Sequence, residues 1–284
     1  MDRGREHFLP APRGGEFLVS DLEGTAAIVT GAAHGIGNGI ARVLAGEGVD
    51  LALCDINPAV HEVAAELEAG GASVMAAEAD VSVPDDVRPF VDAAIERFGR
   101  IHTMVSNAGI WRATSPIDPW EKSIDDFDAL IATNLRGVFL CGRAIAPHMV
   151  EMGGGNIVNI ATDHICPPPG YNTGGGTRMD VYDASKWGIN GFTQAWSRVL
   201  EPHGVRVNAL CMDATDSEMI RGALGMTPPQ ELLDTWMRPE QIAGLLVALL
   251  EEGPEGRTGE NIGIWLDHEI ALPPRVDPLP HRFQ

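Results

Sequence analysis

Short apolar runs that alternate with longer segments of helical period constrain the fold of this chain most. The runs lie at residues 26–30, 50–55, 73–77, 103–106, 156–161, 205–210 and 261–265. Between them, segments such as 37–46, 59–69 and 86–98 carry apolar residues at helical spacing. Successive parallel strands need a crossover connection, which is usually a helix. The sequence therefore predicts an α/β protein with one doubly wound parallel sheet of about seven strands, flanked by helices.

The length of 284 residues fits one large domain with additions rather than two full domains. Residues 1–22 are expected to form an N-terminal extension and residues 23–266 the domain itself, with a lid segment at about 213–238. Residues 267–284, which contain four prolines, are expected to form an irregular tail. A long loop is expected at 165–180, where prolines and glycines cluster.

Charge and composition exclude several classes of partner. Forty acidic and twenty basic side chains give a net charge of −20, which repels polyanions. Nucleic acid and anionic membranes are therefore not expected as partners, and no run reaches the roughly 18 uninterrupted apolar residues of a membrane span. The four cysteines are scattered, and neither they nor the nine histidines show metal-ligand spacing. We expect reduced cysteines, no metal and a cytoplasmic location.

A glycine-rich segment, Thr30 to Gly37, follows the first strand directly and leads into a helical segment. Glycines permit positive φ and remove Cβ atoms, so backbone N–H groups and a helix N-terminus can approach a pyrophosphate closely. The alternative is an ordinary turn between a strand and a helix. The context favours a Rossmann-like fold that binds a dinucleotide, and the predicted contacts here are Gly31, His34, Gly35, Ile36 and Gly37.

Two acidic residues follow the next strands. Asp55 closes the second strand, where its carboxylate can accept hydrogen bonds from the ribose hydroxyls and repel a 2′-phosphate, which predicts NAD as the cofactor. The alternative for Asp55 is a cap or turn residue before Asn57 and Pro58. Asp80 and Val81, after the third strand, are also predicted cofactor contacts, although Asp80 is equally suited to orienting the loop that follows.

The best candidates for proton transfer are Tyr182 and Lys186. They are four residues apart, which places them on the same face of a helix. Interconversion of an alcohol and a ketone needs a group that exchanges the hydroxyl proton, and a nearby ammonium favours the phenolate form of a tyrosine. The chain contains only two tyrosines and two lysines, and one of each stands at this spacing. The alternative is an incidental exposed pair.

Three ordered motifs together carry a family resemblance. Residues 30–37 fit TGxxxGIG, Asn107, Ala108 and Gly109 fit NAG, and residues 182–186 fit YxxxK. The sequence resembles the single-domain short-chain dehydrogenases/reductases over about residues 22–265. The resemblance implies that residues 107–109 pass close to the cofactor, that Asn134 holds a water in a proton relay, and that Thr215 and Ser217 contact the nicotinamide amide. The alternative for Asn134 is a polar residue within a helix.

The sequence departs from the family pattern near the reacting centre. Thr162 stands where the family usually has a serine, and more residues than usual separate it from Tyr182. We expect Thr162 to supply the catalytic hydroxyl. The alternative is that Thr162 caps the loop while Asp163 or His164 contacts the substrate. Met212 and Asp213 replace the usual Pro-Gly pair, and the usual Val-Asp-Gly-Gly ending is replaced around residues 265–269.

The function that these residues favour is an NAD-dependent oxidoreductase that interconverts a secondary alcohol and a ketone, with Asn134, Thr162, Tyr182 and Lys186 as catalytic residues. Apolar residues at 110–111, 165–179 and 219–237 predict a fairly large apolar or alicyclic substrate, unless Arg178 and Arg221 bind a carboxylate. The alternatives are an NAD-binding regulatory or scaffold protein with an impaired site, and a nucleotide-sugar epimerase or dehydratase. The resemblance also implies a homotetramer in which helices at 124–150 and 183–200 pair across two-fold axes.

Overall fold

The structure, a computed structural model, describes residues 22–170 and 177–275. Within them, seven strands form one parallel sheet. The strands are β1 (Ala26–Thr30), β2 (Asp50–Asp55), β3 (Val74–Glu78), β4 (Thr103–Ser106), β5 (Gly155–Ile160), β6 (Val205–Met212) and β7 (Asn261–Ile264). The α-helices are α1 (Gly35–Gly46), α2 (Val60–Ala69), α3 (Pro84–Phe98), α4 (Trp120–Leu130), α5 (Gly137–Met152), α6 (Asp180–Leu200), α7 (Glu218–Ala223), α8 (Gln230–Leu233) and α9 (Pro239–Glu251).

The sheet has the strand order β3-β2-β1-β4-β5-β6-β7, with every neighbouring pair parallel. The predicted fold class is confirmed, and each predicted strand overlaps an observed one. Every residue of β1, β4 and β6 is buried, because helices cover both faces of the sheet. Along the chain, β2 and β3 are added on one side of β1, and β4 to β7 are added on its other side. The order of the strands therefore switches direction between β1 and β4. Ligands bind at the carboxyl ends of the strands beside such a switch point.

A helical run over residues 120–152 crosses one face of the sheet without interruption. It consists of α4, a π-helix over Ile131–Arg136 and α5. By length and composition it is the one candidate membrane span in the described part of the chain, with a hydropathy of 1.3 in its best window. However, Cys141, Ile145 and Met149 are buried in the core together with strand residues such as Met104. The apolar side of α5 is thus covered by the sheet.

The predicted lid segment, residues 213–238, contains α7 and α8. Its two ends meet: Met237 N donates to Ala214 O at 3.0 Å, and Asp216 N donates to Met237 O at 2.8 Å. Met237 is fully buried, so this junction is anchored in the core. The predicted N-terminal extension lies, except for Leu22, outside the described residues, as do 171–176 of the predicted loop and 276–284 of the predicted tail.

Candidate active site

A cleft of about 290 Å³ opens at the carboxyl ends of β1, β2 and β4. Most of the residues predicted to contact a cofactor line it. They are Gly31, His34, Gly35, Ile36, Asp55, Asp80, Val81, Asn107, Ala108, Gly109, Tyr182, Lys186 and Ser217. Residues far apart in the sequence converge here because parallel strands end at the same edge of the sheet. Gly37 and Thr215 do not line this cleft.

The glycine segment forms the tight turn that its composition predicts. Gly31 and Gly35 have φ values of +66° and +54°, in the left-handed region that favours glycine. Gly37 lies beneath the turn, where a Cβ atom would come within 2.1 Å of the Gly31 carbonyl oxygen. Gly37 therefore permits the close packing of α1 on the turn and does not touch the cleft.

Asn107 fixes the same turn from the neighbouring strand. Its Nδ2 donates to Thr30 O at 2.9 Å and to Gly31 O at 3.0 Å. In return, Thr30 Oγ1 accepts hydrogen bonds from the backbone N–H groups of Asn107 and Ala108, both at 3.0 Å. The two motifs are thus one hydrogen-bonded unit, which holds the N-terminus of α1 towards the cleft.

Asp55 and Asp80 both have local hydrogen bonds in addition to facing the cleft. Asp55 accepts from Ala33 N at 3.0 Å through Oδ2 and from Asn57 N at 2.9 Å through Oδ1. Asp80 accepts from Ser82 N at 2.8 Å. The turn-forming alternatives are therefore observed for both residues. Each carboxylate oxygen has a second lone pair, so Asp55 can also accept hydrogen bonds from a ligand.

Tyr182 and Lys186 lie in the first half of α6, at the inner end of the cleft. The Nζ of Lys186 donates to Ile160 O at 3.0 Å and lies 5.7 Å from the centroid of the Tyr182 ring. Burial lowers the pKa of Lys186 to about 8. Burial also raises the pKa of Tyr182 well above its usual value, and the nearby charges of Asp183 and Asp163 raise it further. Burial and the two carboxylates thus favour the protonated form of Tyr182, and the effect of Lys186 on the phenolate stays a prediction.

Asn134 lies in the π-helix and is completely buried. Its Oδ1 accepts from Ile110 N at 2.8 Å, and its Nδ2 donates to Ile110 O at 2.9 Å and to Ser185 Oγ at 3.1 Å. The Ser185 hydroxyl donates in turn to Tyr182 O at 2.6 Å. Asn134 therefore ties the segment after Gly109 to the helix that carries Tyr182. π-Helical turns occur frequently at functional sites. No sequence motif pointed to Ser185.

A second cavity of about 200 Å³ adjoins the cleft, and Ile36, Tyr182, Ser217 and Met219 line both. Its other walls are Trp111, Thr162, Asp163, His164, Met179, Met212, Asp213, Ala214, Thr215, Ile220 and Ala223. Thr215, predicted as a cofactor contact, lines this cavity instead. Arg178 and Arg221 do not line it: they pair with Asp118 at 3.6 Å and with Asp216 at 2.6 Å. The structure thus gives no support to these arginines as a carboxylate site.

Thr162 is buried at the end of β5 and has several partners. Its Oγ1 donates to Asp163 Oδ1 at 3.2 Å and accepts from His164 N at 3.5 Å, so it caps the 3-10 helix Asp163–Ile165. Thr162 and Tyr182 line the same pocket, so the threonine also lies near the tyrosine. The capping alternative is therefore observed, and the catalytic role of Thr162 stays a prediction.

Two further polar residues surround Tyr182. His164 Nδ1 lies 2.6 Å from Asp183 Oδ1, and the His164 ring meets the Tyr182 ring edge to face, with centroids 6.1 Å apart. The sequence suggested His164 only as an alternative substrate contact and did not suggest Asp183. Nineteen residues separate them, with the long loop between, so spacing gave no signal. Within residues 22–170 and 177–275, no group of His, Cys, Asp or Glu is suited to a metal ion.

The family assignment follows from comparison with known proteins. A profile of the family described as short chain dehydrogenase matches residues 25–224. The chain belongs to the short-chain dehydrogenases/reductases. The matched residues contain the glycine turn, Asn107 directly after β4, and the Tyr182–Lys186 pair. A member of this family is an oxidoreductase that binds a nicotinamide cofactor, and most of the residues predicted to contact it line the 290 Å³ cleft.

Several known family members are similar along most of their length. The 3-oxoacyl-[acyl-carrier-protein] reductase of Synechocystis is 32% identical over 236 residues, which cover 80% of this chain and 90% of that protein. Levodione reductase has a TM-score of 0.74 at 28% identity, covering 86% and 96% of the two chains. A short-chain dehydrogenase from Burkholderia cenocepacia, solved in complex with NADP, has a TM-score of 0.72 at 32% identity, covering 87% and 100%.

Proposed function

We propose that this short-chain dehydrogenase/reductase interconverts a secondary alcohol and a ketone with NAD as its cofactor. The observation that carries the proposal is the position of Tyr182, which lines both the cofactor cleft and the adjoining pocket. A substrate in the pocket would present its oxygen to the tyrosine hydroxyl and its carbon to the cleft. When bound, the cofactor supplies or accepts a hydride at that carbon.

The chain's own residues handle the proton. In the direction of reduction, the buried Tyr182 hydroxyl donates its proton to the substrate oxygen, and in oxidation the phenolate takes it back. The Lys186 ammonium, held by the Ile160 carbonyl, stabilises the phenolate that forms. We expect the Thr162 hydroxyl to turn from Asp163 and to donate a hydrogen bond to the same oxygen as its charge develops. Burial of Thr162 and Lys186 excludes water around them and strengthens these interactions.

The choice of NAD rests on the charges at the ribose end of the cleft. The Asp55 carboxylate lies there, and among the described lining residues the only lysine or arginine is Lys186, at the opposite, reacting end. A 2′-phosphate would therefore meet a negative charge without a cation to balance it. The relative from Burkholderia is seen with NADP, so the choice must be measured for this chain.

The pocket favours a predominantly apolar substrate of moderate size. Trp111, Met179, Met212, Met219 and Ile220 contribute apolar walls to about 200 Å³. An alicyclic ring fits such a pocket better than a phosphorylated or strongly anionic substrate, because Asp163 and Asp213 lie in the same wall. The free cysteines and the net charge of −20 support the further proposals of a reducing, cytoplasmic location and of no nucleic-acid or membrane partner.

The test is a steady-state assay of NADH absorbance with cyclic secondary alcohols and ketones, run beside a 3-oxoacyl thioester. The thioester is included because a reductase of such compounds is among the similar proteins. We expect turnover of the cyclic compounds and a loss of at least about a thousandfold in kcat in Tyr182→Phe. Cofactor binding without turnover of any compound would favour the regulatory alternative, and thioester reduction alone would reassign the substrate.

A further inference from the structure

The substrate pocket contains a histidine that proton transfer through Tyr182 does not require. His164 lies in the 3-10 helix directly after β5, and its side chain is 16% exposed. Its ring packs edge to face against Tyr182, and its Nδ1 lies 2.6 Å from Asp183 Oδ1. Asp183 is the next residue after Tyr182 on α6. The ring is therefore held in place on both sides by the helix that bears the reacting tyrosine.

The contact with Asp183 determines what the other ring nitrogen can do. An ionised carboxylate only accepts hydrogen bonds, so the proton of this hydrogen bond lies on Nδ1. In the neutral ring, Nε2 is then an acceptor. It lies 3.9 Å from Asp163 Oδ1, too far for a hydrogen bond between them. Nε2 is thus available to accept a hydrogen bond from a group in the pocket.

Two acidic residues lie beside His164 in the lining of the pocket. Asp163 and Asp213 line the pocket beside His164, and burial and the Asp213 charge raise the pKa of Asp163. The described residues place no lysine or arginine in its lining. A substrate group that donates hydrogen bonds would pair with His164 Nε2 and the two carboxylates, whereas these carboxylates would repel a substrate carboxylate.

We propose that His164, oriented by Asp183, determines specificity by accepting a hydrogen bond from a second donor group on the substrate, next to the reacting hydroxyl. The donor is a hydroxyl or an ammonium, so the preferred substrates are vicinal diols or amino alcohols on an otherwise apolar ring. Asp163 and His164 line the same pocket as Tyr182, which places the acceptors close to the reacting oxygen. The inference rests on the proposed alcohol oxidation.

The test compares compounds that share one ring. NAD-dependent oxidation is measured with 2-methylcyclohexanol, cyclohexane-1,2-diol, 2-aminocyclohexanol and 2-hydroxycyclohexanecarboxylate. We expect kcat/KM for the diol or the amino alcohol to exceed that of the methyl compound at least about tenfold, with the carboxylate lowest, since a site built for a hydrogen bond rejects analogues without it. The order of the diol and the amino alcohol identifies the donor as hydroxyl or ammonium.

Variants assign the preference to the histidine. His164→Phe keeps a planar ring and removes both nitrogens. The kcat/KM for the donor compound divided by the kcat/KM for the methyl compound should therefore fall to within about twofold of one. His164→Gln, whose Oε1 can take the place of Nε2, should restore part of the ratio. The control is His61→Phe on α2, where the side chain is 52% exposed and outside the pocket. Asp183→Asn should also lower the ratio, and its control is Asp180→Asn in the same helical turn.

Two results would overturn the proposal and leave the alcohol dehydrogenase assignment intact: a wild-type preference for the methyl compound, or an unchanged ratio in His164→Phe. If no cyclic alcohol is turned over, the proposed function fails, and calorimetric titration of the enzyme and cofactor with the diol still tests the contact. If wild type and His164→Phe then bind the diol with equal affinity and unfold at the same temperature, the proposed contact with His164 is overturned.

Discussion

In the proposed reaction the Tyr182 hydroxyl exchanges the proton, and Thr162 lines the same pocket. Thr162→Val keeps the side-chain shape and removes the hydroxyl that donates to Asp163. We expect a loss of about 2 to 4 kcal/mol in transition-state stabilisation, as for an oxyanion donor, and near-normal activity in Thr162→Ser. If Thr162→Val keeps kcat within about twofold while Tyr182→Phe is inactive, another group polarises the substrate.

Asp55 should set the cofactor preference. With its charge at the ribose end of the cleft, we expect NAD to be favoured over NADP by at least about 2 kcal/mol, or about thirtyfold in kcat/KM. Asp55→Ser should reduce this ratio, mainly by raising kcat/KM with NADP. The measurement is kcat/KM with each cofactor at a fixed alcohol concentration. Equal efficiency of the wild type with both cofactors would show that Asp55 serves the turn alone.

Lys186 should lower the stability of the fold at neutral pH. Its pKa is about 8 in the folded state and about 10.5 ordinarily, so protonation favours the unfolded chain. This penalty is fully present below pH 8 and disappears as the pH rises towards 10.5. Lys186→Met should therefore raise the free energy of unfolding at pH 7 by about 1 to 3 kcal/mol and lose this advantage by pH 10.

Urea unfolding of the cofactor-free proteins at both pH values measures this difference. The control is Lys122→Met, which removes the chain's other lysine. Lys122 is exposed and pairs with Asp118 and Asp126, so its replacement should leave stability unchanged or reduce it. If Lys122→Met raises the free energy of unfolding as much as Lys186→Met does, the change in net charge rather than the burial of Lys186 explains the effect.

At the scale of elements, the packing of α1 on the first turn depends on Gly37. A Cβ at this position would lie 2.1 Å from Gly31 O, so Gly37→Ala must displace the helix or the turn. We expect at least about a tenfold loss of NADH affinity and a destabilisation of about 1 to 3 kcal/mol. Gly46→Ala, in the same helix with no heavy atom within 4 Å of the added Cβ, should bind NADH normally. Fluorescence titration and thermal unfolding distinguish the two.

The elements that the sequence predicted are those whose residues carry the signal themselves. Buried parallel strands such as β1 are almost continuous apolar runs, and glycine turns require particular residue types. The π-helix over Ile131–Arg136 had no such signal, because no residue type marks this hydrogen-bond register. His164 and Asp183 meet only because the fold brings β5 and α6 together across a long loop. Contacts of this kind depend on tertiary structure and escape pattern analysis.

At the scale of the whole molecule, apolar side chains remain uncovered on the helices that the sequence assigned to subunit pairing. Ile124, Phe127, Phe139 and Trp187 are 40% to 54% exposed on α4, α5 and α6. A single chain leaves them in water, and a two-fold interface would bury them. We predict a homotetramer. Light scattering that gives a mass near 30.3 kDa at micromolar concentration would exclude it, and Phe127→Glu combined with Trp187→Glu should weaken association.

The two ends of the predicted lid segment, residues 213–238, adjoin each other. This has a consequence for how substrate specificity can change during evolution. Residues 214–216 and Met237 are hydrogen-bonded neighbours, so the chain between them leaves the core and returns to it at one point. Surface segments with adjoining ends tolerate insertion and replacement, because the framework does not depend on their length. Residues 220–236 therefore form a unit that can be exchanged as a block. Selection can remodel one side of the substrate pocket in this way while the glycine turn, Tyr182 and Lys186 stay unchanged.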